Sequence, residues 1–489
     1  MPGQQTTQQG RILYWAEFGK TLPVMNDLLR KIENIVGPNG WLRDEDVLAR
    51  SDTWPPQGGC LASALVRPAN TTEVSAVLKL CHEHNQTVVT HGGLTGLVGG
   101  ARAGPDDIVL SLERMSAMGP VDTVNRTITV EAGIQLQKVQ ESAEDANLCF
   151  PLDLGARGSA TIGGNIATNA GGNGVIRYGM MRDQVLGLEA VLADGTIISS
   201  MKDVIKNNTG YDLKQLFVGS EGTLGVITRA TLRLRPLPRS LNTALVAIAD
   251  FEKLGRFLNA MDSALGGTLS AFEVMWNDFY TLIVGSGEKH APPLDTSHAY
   301  YVLLESSGGN AENDSLRFES ALQEAFELDL VADAVIAQSK QQRSDLWSIR
   351  DDVEGLFAHL YPPIAFDISL SIQQMEGYVD EVRREIALQW PQSRMVVFGH
   401  LGDGNIHLVV TVGSLEPEAV HAVDSLVYRA LGKRDGVISA EHGIGLAKRA
   451  FLEQSRSPQE IVLMKTIKRA MDPKNILNPG KILEIDRQE

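Results

Sequence analysis

Two histidines, His400 and His407, bracket the turn LGDGN within VFGHLGDGNIHLVV (397–410), and each adjoins an apolar, β-branched run. Two strands joined by that turn would bring the imidazoles together, about 5 Å apart at Cβ when directly opposite. Such a separation suits two ring nitrogens converging on one cation at about 2.0–2.1 Å. Asp403 or Asn405, in the turn itself, could orient an imidazole from behind. Further along, SAEHGIG (439–445) carries Glu441 and His442 before another glycine turn. Two imidazoles and a carboxylate, His400, His407 and Glu441, would make a three-ligand site with open positions, as catalytic metals have. Taken alone, the histidine pair reads more readily as two separate hairpin residues, solvated or bonded to backbone. The Glu441-His442 pair favours the metal.

The elements that must position these residues can be read from periodicity. Strands are expected at 394–400, 406–412 and 364–371, with a helix at 373–389 and mostly helical chain from Pro417 to DPKNILNPGKIL (472–483). Upstream, a helix is expected at 22–36 and another from Thr71, with threonine as N-cap, carrying Val74, Val77, Leu78 and Cys81. Strands follow at 86–90, 107–112 and 127–130, and a hairpin at 188–199 closes through Asp194-Gly195. RPLPR (235–239) marks a boundary, and no internal repeat or low-complexity linker is evident.

The 489 residues exceed one typical domain, and 43% apolar with 6% aromatic content fits a globular chain with a large core. A net charge of −16 without a basic block argues against nucleic acid or an anionic membrane as partner. No apolar run is long enough to span a bilayer, and the first residues lack the pattern of a secretory leader. Cys60, Cys81 and Cys149 share no metal or redox spacing, so a reducing, cytoplasmic location is expected.

Three segments are rich in small residues: THGGLTGLVGGA (90–101), GARGSATIGGNIATNAGGNG (155–174) and VGSEGTLGVIT (218–228). Glycine admits close backbone approach, and successive N–H groups in such loops form anion-binding concavities. Together they suggest an extended, phosphate-bearing cofactor lying along the backbone. The G-x-G-x-x-G fingerprint opening a helix is absent, so a standard nicotinamide site is not supported. Gly19-Lys20-Thr21 imitates the end of a P-loop, but Tyr14 stands where that motif needs glycine.

These loops, in this order and spacing, resemble the FAD-binding domain of the vanillyl-alcohol-oxidase/PCMH superfamily. GHLGDGNIH, SAEHGIGLAKR and DPKNILNPGKIL resemble the C-terminal domain of the FAD-linked D-2-hydroxy-acid dehydrogenases, which include D-lactate dehydrogenases, the glycolate oxidase flavoprotein subunit and D-2-hydroxyglutarate dehydrogenase. The resemblance implies an α+β architecture. An N-terminal helical segment (1–45) precedes a PCMH-type domain (46–240), a ferredoxin-like substrate and metal domain (241–430) and a helical segment (431–489) that returns to the flavin. It implies non-covalent FAD, because Leu94 occupies the place of the flavin-linking histidine that some members carry. The cofactor-binding positions would be Gly92, Gly93, Thr95, Gly96 and Leu97 in the first loop. Pro151, Gly155, Ser159, Thr161, Gly163, Gly164, Asn165, Thr168, Asn169 and Gly172 would follow, then Gly222, Gly225, Val226 and Asn478.

By the same resemblance His400, His407 and Glu441 bind a divalent metal, zinc by expectation, His442 is the general base and Arg350 clamps the substrate carboxylate. The implied reaction oxidises a D-2-hydroxy acid, of hydroxyglutarate or lactate type, to the 2-oxo acid. Electrons would pass to an acceptor such as electron-transfer flavoprotein or quinone, and the assembly stays open, a homodimer among the options. The chain departs from the hydroxyglutarate pattern at Ala365 and Val409, where lysine and asparagine are usual, and at Glu354, which would repel a distal carboxylate if it faced the pocket. IRDDVEGLF and FDISLSI nevertheless look closer to that branch, so both substrates stay open. The alternatives are an oxygen-using 2-hydroxy-acid oxidase and a non-catalytic flavin- or metal-binding subunit of an electron-transfer assembly.

Overall fold

Alternation of apolar residues with a period of two builds the larger of four sheets. The computed structural model describes residues 22–54, 56, 58–285 and 289–485; the P-loop-like Gly19-Lys20-Thr21 and the rest of 1–21 lie outside them. The seven-stranded antiparallel sheet runs in the order Asp333–Ile336, Ser240–Ile248, Tyr300–Gly308, Leu269–Trp276, Arg394–His400, Asn405–Thr411, Ile364–Ser369. On strand Ser240–Ile248, Ala244, Val246 and Ile248 enter one core while Leu245 and Ala247 enter another. Helices Phe251–Leu265, Ala311–Glu327, Ile372–Gln389 and Pro417–Gly432 cover the first face. The shorter Asn277–Val284, Lys340–Arg350 and Val353–His359 cover part of the second, and the candidate site occupies the rest.

In chain order the first four strands of this sheet, with helices Phe251–Leu265 and Ala311–Glu327, follow the β-α-β-β-α-β ferredoxin-like succession, with helix Asn277–Val284 inserted between the second and third strands. The next three strands repeat it as β-α-β-β-α, and an antiparallel bridge from Val437 to Ser369 stands where a fourth strand would pair. This duplication is not evident in the sequence, because what repeats is topology and not residue identity.

The preceding residues fold around two four-stranded sheets. One places Val88–His91 parallel to Ile108–Ser111, itself parallel to Ala64–Val66. The other is antiparallel and contains Thr127–Glu131, Val226–Arg233, Val185–Val191 and Ile197–Ser200. The expected 188–199 hairpin forms, with Gly195 at φ +87° and Thr196 N–H donating to Asp194 at 2.8 Å. Helix Thr71–Glu83 begins where expected, but Asn70 is its cap, accepting from Glu73 N–H at 3.0 Å. The Thr71 hydroxyl donates instead to Glu189 at 2.7 Å, so tertiary pairing removes it from the capping role.

Beyond Pro417 the expected helical chain holds for Pro417–Gly432 and Pro458–Met471, but the site-bearing stretch 439–446 is a loop. After the last helix the chain re-enters the first module. Leu477 bridges Val88 in parallel, and Ile476 and Leu477 are fully buried in that module's core.

Candidate active site

Four neighbouring strands deliver the ionisable residues, because their register aligns alternate positions on one face. Phe398 lies opposite His407 and Asp367 lies opposite His407 on the other side. Glu273 lies opposite His400. The two histidines are therefore diagonal neighbours and not directly opposed as the sequence suggested; the turn is one residue-pair longer than direct opposition needs. Their rings still meet, with centroids 5.3 Å apart and nearly perpendicular. The 3-10 turn Leu401–Asp403 is closed by Gly404 at φ +81°, a conformation that disfavours a side chain.

Loop 439–445 is held by two buried carboxylates, one from each module. Asp367 Oδ2 accepts the N–H groups of Glu441 (2.9 Å) and His442 (3.0 Å). Glu221 accepts those of Ile444 (2.7 Å) and Gly445 (2.8 Å). At Gly443, with φ +84°, a Cβ would come within 2.7 Å of Glu221 Oε1, so this position has no room for one. Asn478 completes the join: its amide donates to Glu221 O at 2.6 Å and its Oδ1 accepts from Thr90 N–H at 2.9 Å.

One ligand atom from each of His400, His407 and Glu441 lies within 4.8 Å of the others, close enough for a single cation. His400 Nε2 is 3.6 Å from Glu441 Oε1, and its Nδ1 is 2.8 Å from Glu273 Oε1. Glu273, 1% exposed, thus backs the imidazole, the role expected of Asp403 or Asn405. The Asn405 amide turns instead to Asp367, at 3.0 Å. Arg350, also buried, places Nε 2.9 Å and Nη2 2.8 Å from Glu273 Oε2 and stacks 4.9 Å from the Phe398 ring centroid. Its Nη1, 3.7 Å from Asp351, is the guanidinium nitrogen not engaged by Glu273.

Electrostatics separates these groups. Burial disfavours the His400 imidazolium, but the Glu273 carboxylate on Nδ1, with Glu441 nearby, outweighs it and lifts the pKa to about 9. Burial pushes Glu441 up to about 7 against the pull of His400. His407 is held well below the usual imidazole range by burial and by the charge of His400. Burial likewise lowers His442, opposed by Asp367, whose Oδ2 lies 3.7 Å from Nδ1. Asp367 stays far below the ordinary carboxylate range although fully buried, because His442, Lys448 and His407 surround it.

A cavity of about 560 Å³ joins this cluster to the glycine-rich loops. Its wall includes His400, His407, Glu441, His442, Arg350 and Asn478, and all the expected cofactor positions except Pro151, Ser159 and Asn169. Asn169 adopts a left-handed conformation at the end of helix Ile162–Thr168, and its side chain bonds Arg182 N–H and Met180. The backbone of Ser159 supports the first loop from behind: a Cβ at Gly93 would strike its carbonyl at 2.1 Å. A Cβ at Gly96 or Gly155 would meet nothing within 4 Å, so both face open space. Thr90 Oγ1 and Asn165 Nδ2, both in wall residues, are buried without a partner. Open glycines and unpaired polar atoms fit a large polar cofactor. Glu354 is exposed and lies outside the wall, whereas Ala365 and Val409 are in it.

Two modules, one with glycine-rich loops and one with a His/His/Glu cluster, sharing a single cavity define a flavin-dependent enzyme class. Residues 62–200 match the family described as "FAD binding domain", and residues 237–482 match "FAD linked oxidases, C-terminal domain". The fold is shared with p-cresol methylhydroxylase with substrate bound, at TM-score 0.76 and 17% identity over 95% of this chain and 98% of that one. It is shared too with alkyldihydroxyacetonephosphate synthase, at TM-score 0.71 and 15% identity over 93% and 85%. Sequence relatives are much nearer. A "Probable D-2-hydroxyglutarate dehydrogenase, mitochondrial" of Oryza sativa subsp. indica is 38% identical, covering 94% of this chain and 82% of its own. The "D-2-hydroxyglutarate dehydrogenase, mitochondrial" of Danio rerio is 38% identical over 91% and 83%. The "D-2-hydroxyglutarate dehydrogenase" of Stutzerimonas stutzeri (strain A1501) is 36% identical over 93% and 98%. The chain belongs to the FAD-linked D-2-hydroxy-acid dehydrogenase family and is an FAD-linked oxidoreductase acting on a CH–OH donor.

Proposed function

We propose that the protein oxidises a D-2-hydroxy acid, of the hydroxyglutarate or lactate type, to the 2-oxo acid with help from a divalent cation. The observation that carries this reading is the convergence of His400, His407 and Glu441 beside His442 in the cavity that the flavin loops line. FAD, non-covalent because Leu94 offers no attachment group, supplies the hydride acceptor, and a zinc ion on the three ligands supplies the charge that acidifies the substrate hydroxyl.

The chain's own residues do the rest. His442 Nε2 takes the hydroxyl proton, and the imidazolium so formed faces the Asp367 carboxylate through Nδ1. Burial holds His442 neutral and ready to accept. Arg350 presents the edge bearing Nη1 to the substrate carboxylate, while Glu273 fixes its Nε edge. Glu221 holds the base-bearing loop against the flavin module, and Asn478 braces Glu221 there. Electron-transfer flavoprotein or quinone is the acceptor class that the resemblance implies. No helix among the described residues is long and apolar enough to cross a membrane. The cytoplasm is proposed from the three free cysteines, although the rice and zebrafish relatives carry "mitochondrial" in their names.

His442→Ala should keep FAD and metal at wild-type stoichiometry and lose turnover by on the order of 100-fold or more. Near-normal turnover in that variant would remove His442 as the base.

A further inference from the structure

The cavity wall beyond the ion cluster is apolar. One step along the same strands from His407 and Asp367, Val409 and Ala365 lie directly opposite each other and both line the cavity. Phe398 borders them, and Val353 and Phe357 add two large apolar side chains, 38% and 36% exposed, from the helix that follows Arg350. Besides the imidazoles, the basic side chains in the wall, among the described residues, are Arg157 and Arg350. Arg157, in the second flavin loop, is 3.3 Å from Asp153. Arg350 is the one beside the ion cluster, and Glu273 already takes one of its edges. Four carboxylates, Asp153, Glu221, Asp351 and Glu441, line the same wall.

We infer that the substrate is a D-2-hydroxy monocarboxylic acid with an apolar side chain, received by Ala365, Val409, Val353 and Phe357, and not a dicarboxylic acid. This rests on the D-2-hydroxy-acid reading above and narrows it. One carboxylate beside the reacting hydroxyl uses the edge of Arg350 that bears Nη1, which Glu273 leaves unengaged and Asp351 faces at 3.7 Å. A second carboxylate, carried on the side chain, would leave water for the apolar stretch of wall, Ala365, Val409, Val353 and Phe357, which offers it no cation of its own, with Asp351 in the same wall. Burying an unpaired charge there is strongly unfavourable. An aliphatic side chain gains by the same burial. Ala365 is small and exposed to the cavity, which leaves space for several carbons.

The test is anaerobic reduction of the bound flavin in purified, FAD-loaded, zinc-replete protein, mixed in turn with D-lactate, D-2-hydroxybutyrate, D-2-hydroxyisocaproate and D-2-hydroxyglutarate. The second-order rate constant should be about 100-fold or more higher for the best apolar acid than for D-2-hydroxyglutarate. Equal or faster reduction by D-2-hydroxyglutarate overturns the side-chain assignment and leaves the D-2-hydroxy-acid reading intact. Reduction by none of the four overturns that reading and this inference with it. Ala365→Lys should shift the ratio toward D-2-hydroxyglutarate by about tenfold or more, since it sets a cation in the apolar wall. An unchanged ratio in a folded, FAD-loaded variant would mean that the substrate side chain lies elsewhere.

Discussion

Glu221 reaches from the flavin module to the loop that carries Glu441 and His442, and replacing it with glutamine tests whether that reach sets the geometry of reaction. Its two oxygens accept two backbone N–H groups at 2.7 and 2.8 Å in a buried setting. Each bond to a charged acceptor is worth roughly 1.5–3 kcal/mol. Glutamine keeps one acceptor and turns the other position into an NH2 facing an amide N–H. The expected cost is one charge-assisted bond plus an unsatisfied donor, together about 3–5 kcal/mol, concentrated on the loop. The strands that hold His400 and His407 are untouched. A loop displaced by about 1 Å would slow hydride transfer by on the order of 100-fold. Stopped-flow flavin reduction with C2-protiated and C2-deuterated substrate reads this directly. The slowing should come with a full deuterium effect and unchanged FAD content. Reduction within about twofold of wild type would refute the idea that this clasp positions the base.

Three further outcomes follow from the same geometry. Glu273→Gln, which leaves His400 Nδ1 without a carboxylate, should weaken zinc binding by about 10- to 100-fold in a chelator-competition titration. Burial raises Asp424 to about 6, so the folded protein binds a proton that the unfolded chain, at its lower pKa, releases. This group therefore favours the fold as pH falls from about 6 toward 4 and disfavours it above; Asp424→Asn should remove that part of the pH dependence of the urea midpoint. With electron-transfer flavoprotein or quinone as acceptor, turnover in air should form little hydrogen peroxide beside dye reduction, and stoichiometric peroxide would favour the oxidase alternative.

The residues of the His400, His407 and Glu441 cluster were legible in the sequence because a histidine on each side of a glycine turn makes a local pattern, as does Glu441-His442. The glycine-rich loops were legible for the same reason. The residues that hold them were not, since Glu221, Glu273 and Asp367 are single carboxylates whose partners lie 38 to more than 200 residues away. A signal did exist: Glu273 interrupts LSAFEVMW, a strand buried along its whole length, and Asp367 interrupts IAFDIS. A lone charge in such a run must be paired. The diagonal placing of His400 and His407 was hidden because register depends on where the turn closes, which spacing alone does not fix. Thr71 yielded the cap to Asn70 because a contact with Glu189, 118 residues away, claimed its hydroxyl.

The central claim is that one cation, gathered by His400, His407 and Glu441, is needed for electrons to leave the substrate. Anaerobic flavin reduction should be compared for the protein as purified, after chelation, and after return of one equivalent of zinc. The account predicts that chelation abolishes bleaching while the oxidised flavin spectrum persists, and that zinc restores the rate. A chelated, metal-free protein that bleaches at the original rate would contradict it.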